Sequence, residues 1–248
     1  MYQDYEGGQQ AFYQPDPFSK QAFNPRLGFV RKVYSIVSVQ LLATTLMVML
    51  CMGPLRSYLT YPEHTFPFAL FILCSVMALI LCIAVACYPA VGRRVPTNYF
   101  ILGLFTLCEA YTVGYITVFA EPMDVLLAAS LALSMTLVLT IYAFTTKTDF
   151  TTWGAFLWIA AWGLIAFSLM FFFIGPTNAA FTPLVITISV VTIIIYGIYL
   201  VYDTQLIMGG KRFELSLDDY IIAAMVIYID VIVLFLKFLE IIQAVRRS

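Results

Sequence analysis

Seven long apolar runs dominate the chain, at residues 33–53, 68–88, 98–119, 124–145, 153–174, 182–203 and 218–243. Each is about 20 residues or slightly more, the length that carries an α-helix across a hydrocarbon layer at ~1.5 Å per residue. None alternates apolar and polar positions, so the strands of a membrane barrel are not predicted. Short polar breaks separate the runs. The third and fourth are joined by a tight turn at Ala120–Met123, Gly175-Pro176 ends the fifth, and Pro183 suits the first turn of the sixth. Residues 1–28 read differently. They are rich in Gln, Tyr, Pro and Phe (QQAFYQPDPF), carry Pro15, Pro17 and Pro25, and show no helical period. A disordered tail is expected there. It contains no apolar stretch of a cleaved signal peptide, so the first run must direct its own membrane insertion. The pattern predicts an all-α polytopic membrane domain of seven transmembrane helices over 29–248, preceded by a tail over 1–28.

Composition narrows the function classes. Of 248 residues, 62% are hydrophobic and 11% charged, against ~45–50% and ~25% in soluble domains. With a mean hydropathy of +0.93, a soluble globular protein is excluded, and the lipid bilayer becomes an obligatory partner. Thirteen Lys and Arg against fourteen Asp and Glu leave no basic excess for a nucleic acid. Cys51, Cys74, Cys82, Cys87 and Cys108 lie in or at the ends of apolar runs, with no CxxC spacing and only one histidine, His64. They read as small buried hydrophobes, not a zinc site, and no cofactor is expected.

Lysine and arginine positions orient the helices. Lys20, Arg26, Arg31 and Lys32 precede or open the first run. Arg93 and Arg94 lie in the second loop, Lys147 in the fourth, Lys211 and Arg212 in the sixth. The first loop has only Arg56, and the third and fifth have none. The amino terminus is therefore expected in the cytosol. Seven spans then put the carboxyl terminus across the membrane, although it carries Arg246 and Arg247. Either that basic end is tolerated or the last run re-enters or breaks; seven full spans is the reading adopted.

Three acids sit where charge is costly: Glu109 in the third run, Asp203 near the end of the sixth and Asp230 in the seventh. The runs hold no Lys or Arg except Lys237, near the end of the last one. At ~1.5 Å per residue, Glu109 and Asp230 each lie ~18 Å from the cytosolic ends of their helices. The start of the seventh helix is supported by Ser216-Leu217-Asp218-Asp219, which fits an S-x-x-D capping box. The sixth helix is expected to run on to about Met208, where Gly209-Gly210 breaks it, which puts Asp203 ~8 Å from its end. The sixth and seventh helices form a hairpin, so Asp203 and Asp230 meet if the helices tilt or slide. Glu109 reaches a similar level from another helix.

Two carboxylates together in a low dielectric cannot both ionise cheaply, and they titrate as a unit. A shared proton would lock the hairpin. Its loss would leave an oxygen-rich, divalent site suited to a hard cation such as Ca²⁺, bound transiently by Asp203 and Asp230. The alternative is that the acids are hydrogen-bonded pins between helices. Arg93 and Arg94 read either as positive-inside anchors or as a latch, a guanidinium reaching the shallower Asp203.

These residues carry a resemblance. The stretches FVRKVYSIVSVQLL at 29–42, NYFILGLFTLCEAYTVG at 98–114 and YAFTTKTDFT at 142–151 resemble the transmembrane Bax inhibitor motif family, in its lifeguard and glutamate-receptor-associated branch. So do GIYLVYDTQLIMGG at 197–210 and LDDYIIAAMVIYIDVIVLFLKFLEII at 217–242. The resemblance implies a seven-helix fold with the last helix central, wrapped by the other six. It also implies a passive, pH-sensitive Ca²⁺ leak and a restraining role in apoptosis. Asp203 and Asp230 match the family's di-aspartyl pH sensor, Arg93 or Arg94 the latch, and Glu109 an acid common in this branch. Relatives occupy the endoplasmic reticulum, Golgi, endolysosomal or plasma membrane.

Three other readings were weighed. An intramembrane aspartyl protease would use a similar pair of acids, but Asp230 lies in Ile-Tyr-Ile-Asp-Val and not in a Gly-rich context that admits water. No enzyme activity is expected. A seven-helix receptor would have the opposite orientation. A non-transporting scaffold that binds apoptosis-related or receptor membrane proteins is the serious alternative to a leak. The expectation is a Ca²⁺ leak gated by protonation of the Asp203–Asp230 pair, with Glu109 lining the ion path.

Overall fold

A computed structural model describes residues 25–61, 63, 65–174 and 181–247. The regular structure of those residues is all helical, without a strand. Seven helices are long and apolar enough to span a membrane: α1 (Pro25–Met52), α3 (Thr65–Cys87), α5 (Thr97–Thr117), α6 (Pro122–Thr145), α7 (Gly154–Ile174), α8 (Phe181–Met208) and α9 (Tyr220–Arg247). Short α2 (Arg56–Leu59) and α4 (Pro89–Arg93) lie in loops, and a 3₁₀ turn at Phe150–Trp153 leads into α7. The chain is a multi-pass integral membrane protein.

The boundaries show where local chemistry acts. α1 begins at Pro25, inside the segment assigned to the tail, because a proline at the first helical position loses no bond that the helix would have made. Residues 1–24 of the tail, His64 and Gly175-Pro176 lie outside the described residues. α6 likewise opens on Pro122. α8 ends at Met208, where Gly209 and Gly210 both take positive φ (70° and 73°), a conformation that side chains with a Cβ rarely adopt. Of the cysteines, Cys51 and Cys108 are buried and Cys74 and Cys82 half-buried, but Cys87, at the last position of α3, is exposed.

The last helix is the axis of the bundle. In its spanning window 61% of residues are buried, against 11–44% in the other six. Ile221, Ala224, Ile227, Tyr228, Leu234 and Leu239 are fully or almost fully enclosed. α9 packs against α8, α6, α1 and α5 and touches α3. The other helices turn Leu, Ile, Val and Phe outward, as lipid-facing surfaces do. α7 departs from the expected wrapping. It packs on α8 and the 3₁₀ turn, not closely on α9, and Trp158, Ile159, Trp162 and Phe167 face outward. A helix apolar on every side has no stripe that must turn inward. Where α1 meets α5 the backbones approach closely: a Cβ on Gly114 would stand 2.8 Å from Cys51 Sγ.

Candidate functional site

Asp203 of α8 and Asp230 of α9 come together in the bundle, 8% and 4% exposed. Their carboxyl groups lie close enough to act directly on one another. Packing of α8 on α9, each 28 residues long, brings this about: their register sets Asp203, five residues from the end of α8, beside Asp230, ten residues into α9. Asp230 Oδ2 has no hydrogen-bond partner among the described residues. Among the described residues no lysine or arginine acts on the pair. Its surroundings are tyrosines and threonines. The Tyr34 hydroxyl, from α1, lies 3.1 Å from Thr204 Oγ1. Tyr34, Tyr196 and Tyr199 stand within electrostatic reach of Asp230, and Tyr202 of Asp203. Tyr196, Tyr199 and Asp203 are spaced three and four apart, so α8 presents them along one face.

Two enclosed carboxylates this close are most easily held with one proton between them, because two like charges in a low dielectric repel strongly. Without that proton the site holds four carboxylate oxygens ringed by hydroxyls. Ca²⁺ ordinarily takes six to eight oxygens. Among the described residues no group of three or more His, Cys, Asp or Glu could hold a metal. The pair by itself offers a cation only a partial shell.

The other expected site residues are placed elsewhere. Glu109 is half-buried on α5, with Cys82 of α3 and Tyr228 of α9 as its electrostatic neighbours. That is the α3 flank of α9, away from the pair. Arg93, at the end of α4, does not reach Asp203. It donates from Nε and Nη2 to Asp219 Oδ1 and Oδ2, at 2.8 and 2.9 Å. The Asp219 carboxylate holds the Arg93 guanidinium above its ordinary pKa. Arg94 is exposed, with no ion pair among the described residues. Arg93 thus pairs with the acid just before α9 and not with Asp203. The capping box is corrected at the same place. α9 starts at Tyr220, and Asp219 is the residue whose carbonyl accepts the first bond, from Ala223 N at 3.0 Å. Ser216 Oγ instead accepts from Asp218 N at 3.4 Å, within the preceding turn.

Several further contacts join distant parts of the chain. Arg26 donates to the carbonyls of Leu206 and Leu215, both at 2.6 Å, capping the end of α8. Lys211 donates to the carbonyls of Thr146, Lys147 and Thr148 after α6. Gln205, fully buried, accepts from Phe150 N at 2.8 Å and donates to the Thr148 carbonyl at 2.9 Å, so α8 holds the turn into α7. On the opposite face, Arg246 pairs with Glu121 and Asp124 at the start of α6. There α9 runs on to Arg247, and the basic end is met by two acids at Arg246. The tyrosine spacing on α8 was visible in the sequence. The pairings across distant helices were not.

Comparison with known proteins fits this architecture. A family model described as Inhibitor of apoptosis-promoting Bax1 matches residues 26–247. The chain is 34% identical over 244 residues to Protein LIFEGUARD 4 of Arabidopsis thaliana, covering 96% of this chain and 92% of that protein. It is 33% identical over 226 residues to Protein lifeguard 4 of Mus musculus, covering 90% and 87%. It is 29% identical over 241 residues to Bax inhibitor 1 of Schizosaccharomyces pombe, covering 96% and 84%. With the family model spanning all seven membrane helices, the chain belongs to the Bax inhibitor family, alongside the lifeguard proteins.

Proposed function

We propose that this protein is a pH-sensitive passive Ca²⁺ leak channel, or a channel-like regulator of Ca²⁺ homeostasis, that restrains apoptosis. One observation carries the reading: two carboxylates from adjacent helices meet in the enclosed centre of a membrane bundle, with no basic side chain among the described residues acting on them and with one oxygen unpartnered. A charge at that depth is expensive unless it has a task. Protonation joins α8 to α9 through a carboxyl–carboxylate hydrogen bond. Deprotonation separates them by like-charge repulsion and attracts a divalent cation. The anti-apoptotic role rests on family membership and the names of the relatives. The amino-terminal face, which carries Arg26, Arg31, Lys32, Arg93, Arg94, Lys147, Lys211 and Arg212, is the cytosolic one in this reading. The membrane is an endomembrane of the endoplasmic reticulum, Golgi or endolysosomal system, or the plasma membrane.

The Arg93–Asp219 pair ties the α3–α4 connection to the start of the central helix. It takes the place of the direct latch to Asp203, since movement at the start of α9 is transmitted along that helix to Asp230. Glu109, on the other flank, contributes through the negative potential it adds to the core, so Glu109→Gln lowers flux while leaving its pH profile in place.

The test is Ca²⁺ influx into sealed liposomes holding the purified protein, between pH 5.5 and 8. The wild type should show a pH-dependent flux. Asp203→Asn and Asp230→Asn should each flatten it. Unchanged pH profiles in both variants would remove the sensor role. No flux above empty liposomes at any pH would favour a non-transporting scaffold for apoptosis-related membrane proteins, with the acids as helix pins.

A further inference from the structure

A cavity of about 410 Å³, open on one side, lies between α7, α8 and α9, walled by Leu164 and Ser168, by Thr192 and Tyr196, and by Val233 and Lys237. The helical spacings extend its walls to the acid pair. On α8, Thr192, Tyr196, Tyr199 and Asp203 follow at intervals of four, three and four. On α9, Asp230, Val233 and Lys237 follow at three and four. Each set is one continuous face of its helix. Tyr196 is both a wall of the cavity and an electrostatic neighbour of Asp230, so this side chain links the space to the carboxylates. Lys237, seven residues beyond Asp230, stands ~10 Å nearer the opposite face. Its ammonium donates to Glu240 Oε2 at 2.6 Å, and Ser189 Oγ donates to the same oxygen at 2.8 Å. An ion pair one turn long thus sits at the outer end of the cavity, where an apolar lipid-filled crevice would need neither charge. The volume holds on the order of ten waters at ~30 Å³ each.

We propose that this cavity is a water-filled vestibule joining the acid pair to the opposite face, and that the Lys237–Glu240 pair sets the charge a cation meets at its mouth. Tyr196 is the inner barrier. Glu240 attracts the cation and Lys237 offsets that attraction, so the two residues act with opposite sign on the same passage. The flux part of the proposal rests on the leak reading; the water-filled vestibule does not.

Two measurements test it. In the liposome assay, Lys237→Gln leaves Glu240 uncompensated and should raise Ca²⁺ flux, and Glu240→Gln leaves Lys237 uncompensated and should lower it, each on the order of tenfold. A merely structural ion pair would move both variants the same way, and that result overturns the charge assignment. Independently, Thr192→Cys and Val233→Cys are placed in a chain whose five native cysteines are replaced by serine or alanine. Sealed vesicles then receive a membrane-impermeant, cationic trimethylammonium-ethyl methanethiosulfonate from one side or the other. Both positions should react from the opposite face and not from the amino-terminal face. Reaction from neither side, or only with a lipid-soluble maleimide, overturns the vestibule whatever the flux. Labelling from the opposite face in a protein without any leak would keep the vestibule and overturn the leak reading instead.

Discussion

Replacing Arg246 with glutamine removes the cation that Glu121 and Asp124 share at the junction of α6 and α9. The two acids are not equivalent. Asp124 is 2% exposed, whereas the Glu121 side chain is 62% exposed and returns to water on its own. Leaving a buried carboxylate without its partner costs about 3–5 kcal/mol in enclosed pairs. Two features lower that figure here. The Arg246 side chain is itself 49% exposed, which weakens the pair through solvent screening. Asp124 also lies in the first turn of α6, where the helix dipole returns up to ~1 kcal/mol. A net loss of about 2 kcal/mol remains, or roughly 4–8 °C in melting temperature at ~2–4 °C per kcal/mol. Tryptophan fluorescence of the detergent-solubilised protein on heating reads this out, with the exposed Arg94→Gln as a control of equal charge change. Adding Asp124→Asn to Arg246→Gln should recover most of the loss, because the orphaned charge is gone. If Arg246→Gln melts within a degree of Arg94→Gln, the carboxyl-terminal contact contributes nothing and the argument fails.

Two further outcomes are expected on the amino-terminal face. Gln205→Leu strips partners from Phe150 N and the Thr148 carbonyl, at about 1–3 kcal/mol, and should increase proteolytic cleavage between α6 and α7 before it changes global melting; equal cleavage in wild type and variant would refute this. Asp149 accepts from the Thr151 hydroxyl, from Thr151 N and from Arg212 N, and the Thr151 hydroxyl foremost holds its carboxyl below the ordinary value of 3.8. Its contribution is present above that ordinary value and is lost as pH falls through the lower folded one. Amide protection around 149–153 should therefore fall below about pH 4 in the wild type and lose that acid-side step in Asp149→Asn; an unchanged step would point to another group.

The number of spans, their approximate ends and the short list of charged candidates are properties of the chain itself. An apolar run of about 20 residues satisfies its own backbone hydrogen bonds within one helix, so its existence needs no partner. Local chemistry set several ends too: Pro122 opening α6, Pro183 in the first turn of α8, and Gly209-Gly210 closing it at Met208. Pairings between helices are of another kind. Asp203 meets Asp230, Arg93 meets Asp219 and Arg246 meets Asp124 across 27, 126 and 122 residues respectively. Such partners depend on tilt, register and rotation about each axis, which packing against neighbours decides and periodicity does not encode. A uniformly apolar helix gives no preferred face, and so the outward place of α7, and the cavity it leaves beside α9, came only from the tertiary structure. The same physics explains Arg93. Its charge and loop position were legible as an anchor or a latch, but its pairing with Asp219 was settled by where the start of α9 lies in space.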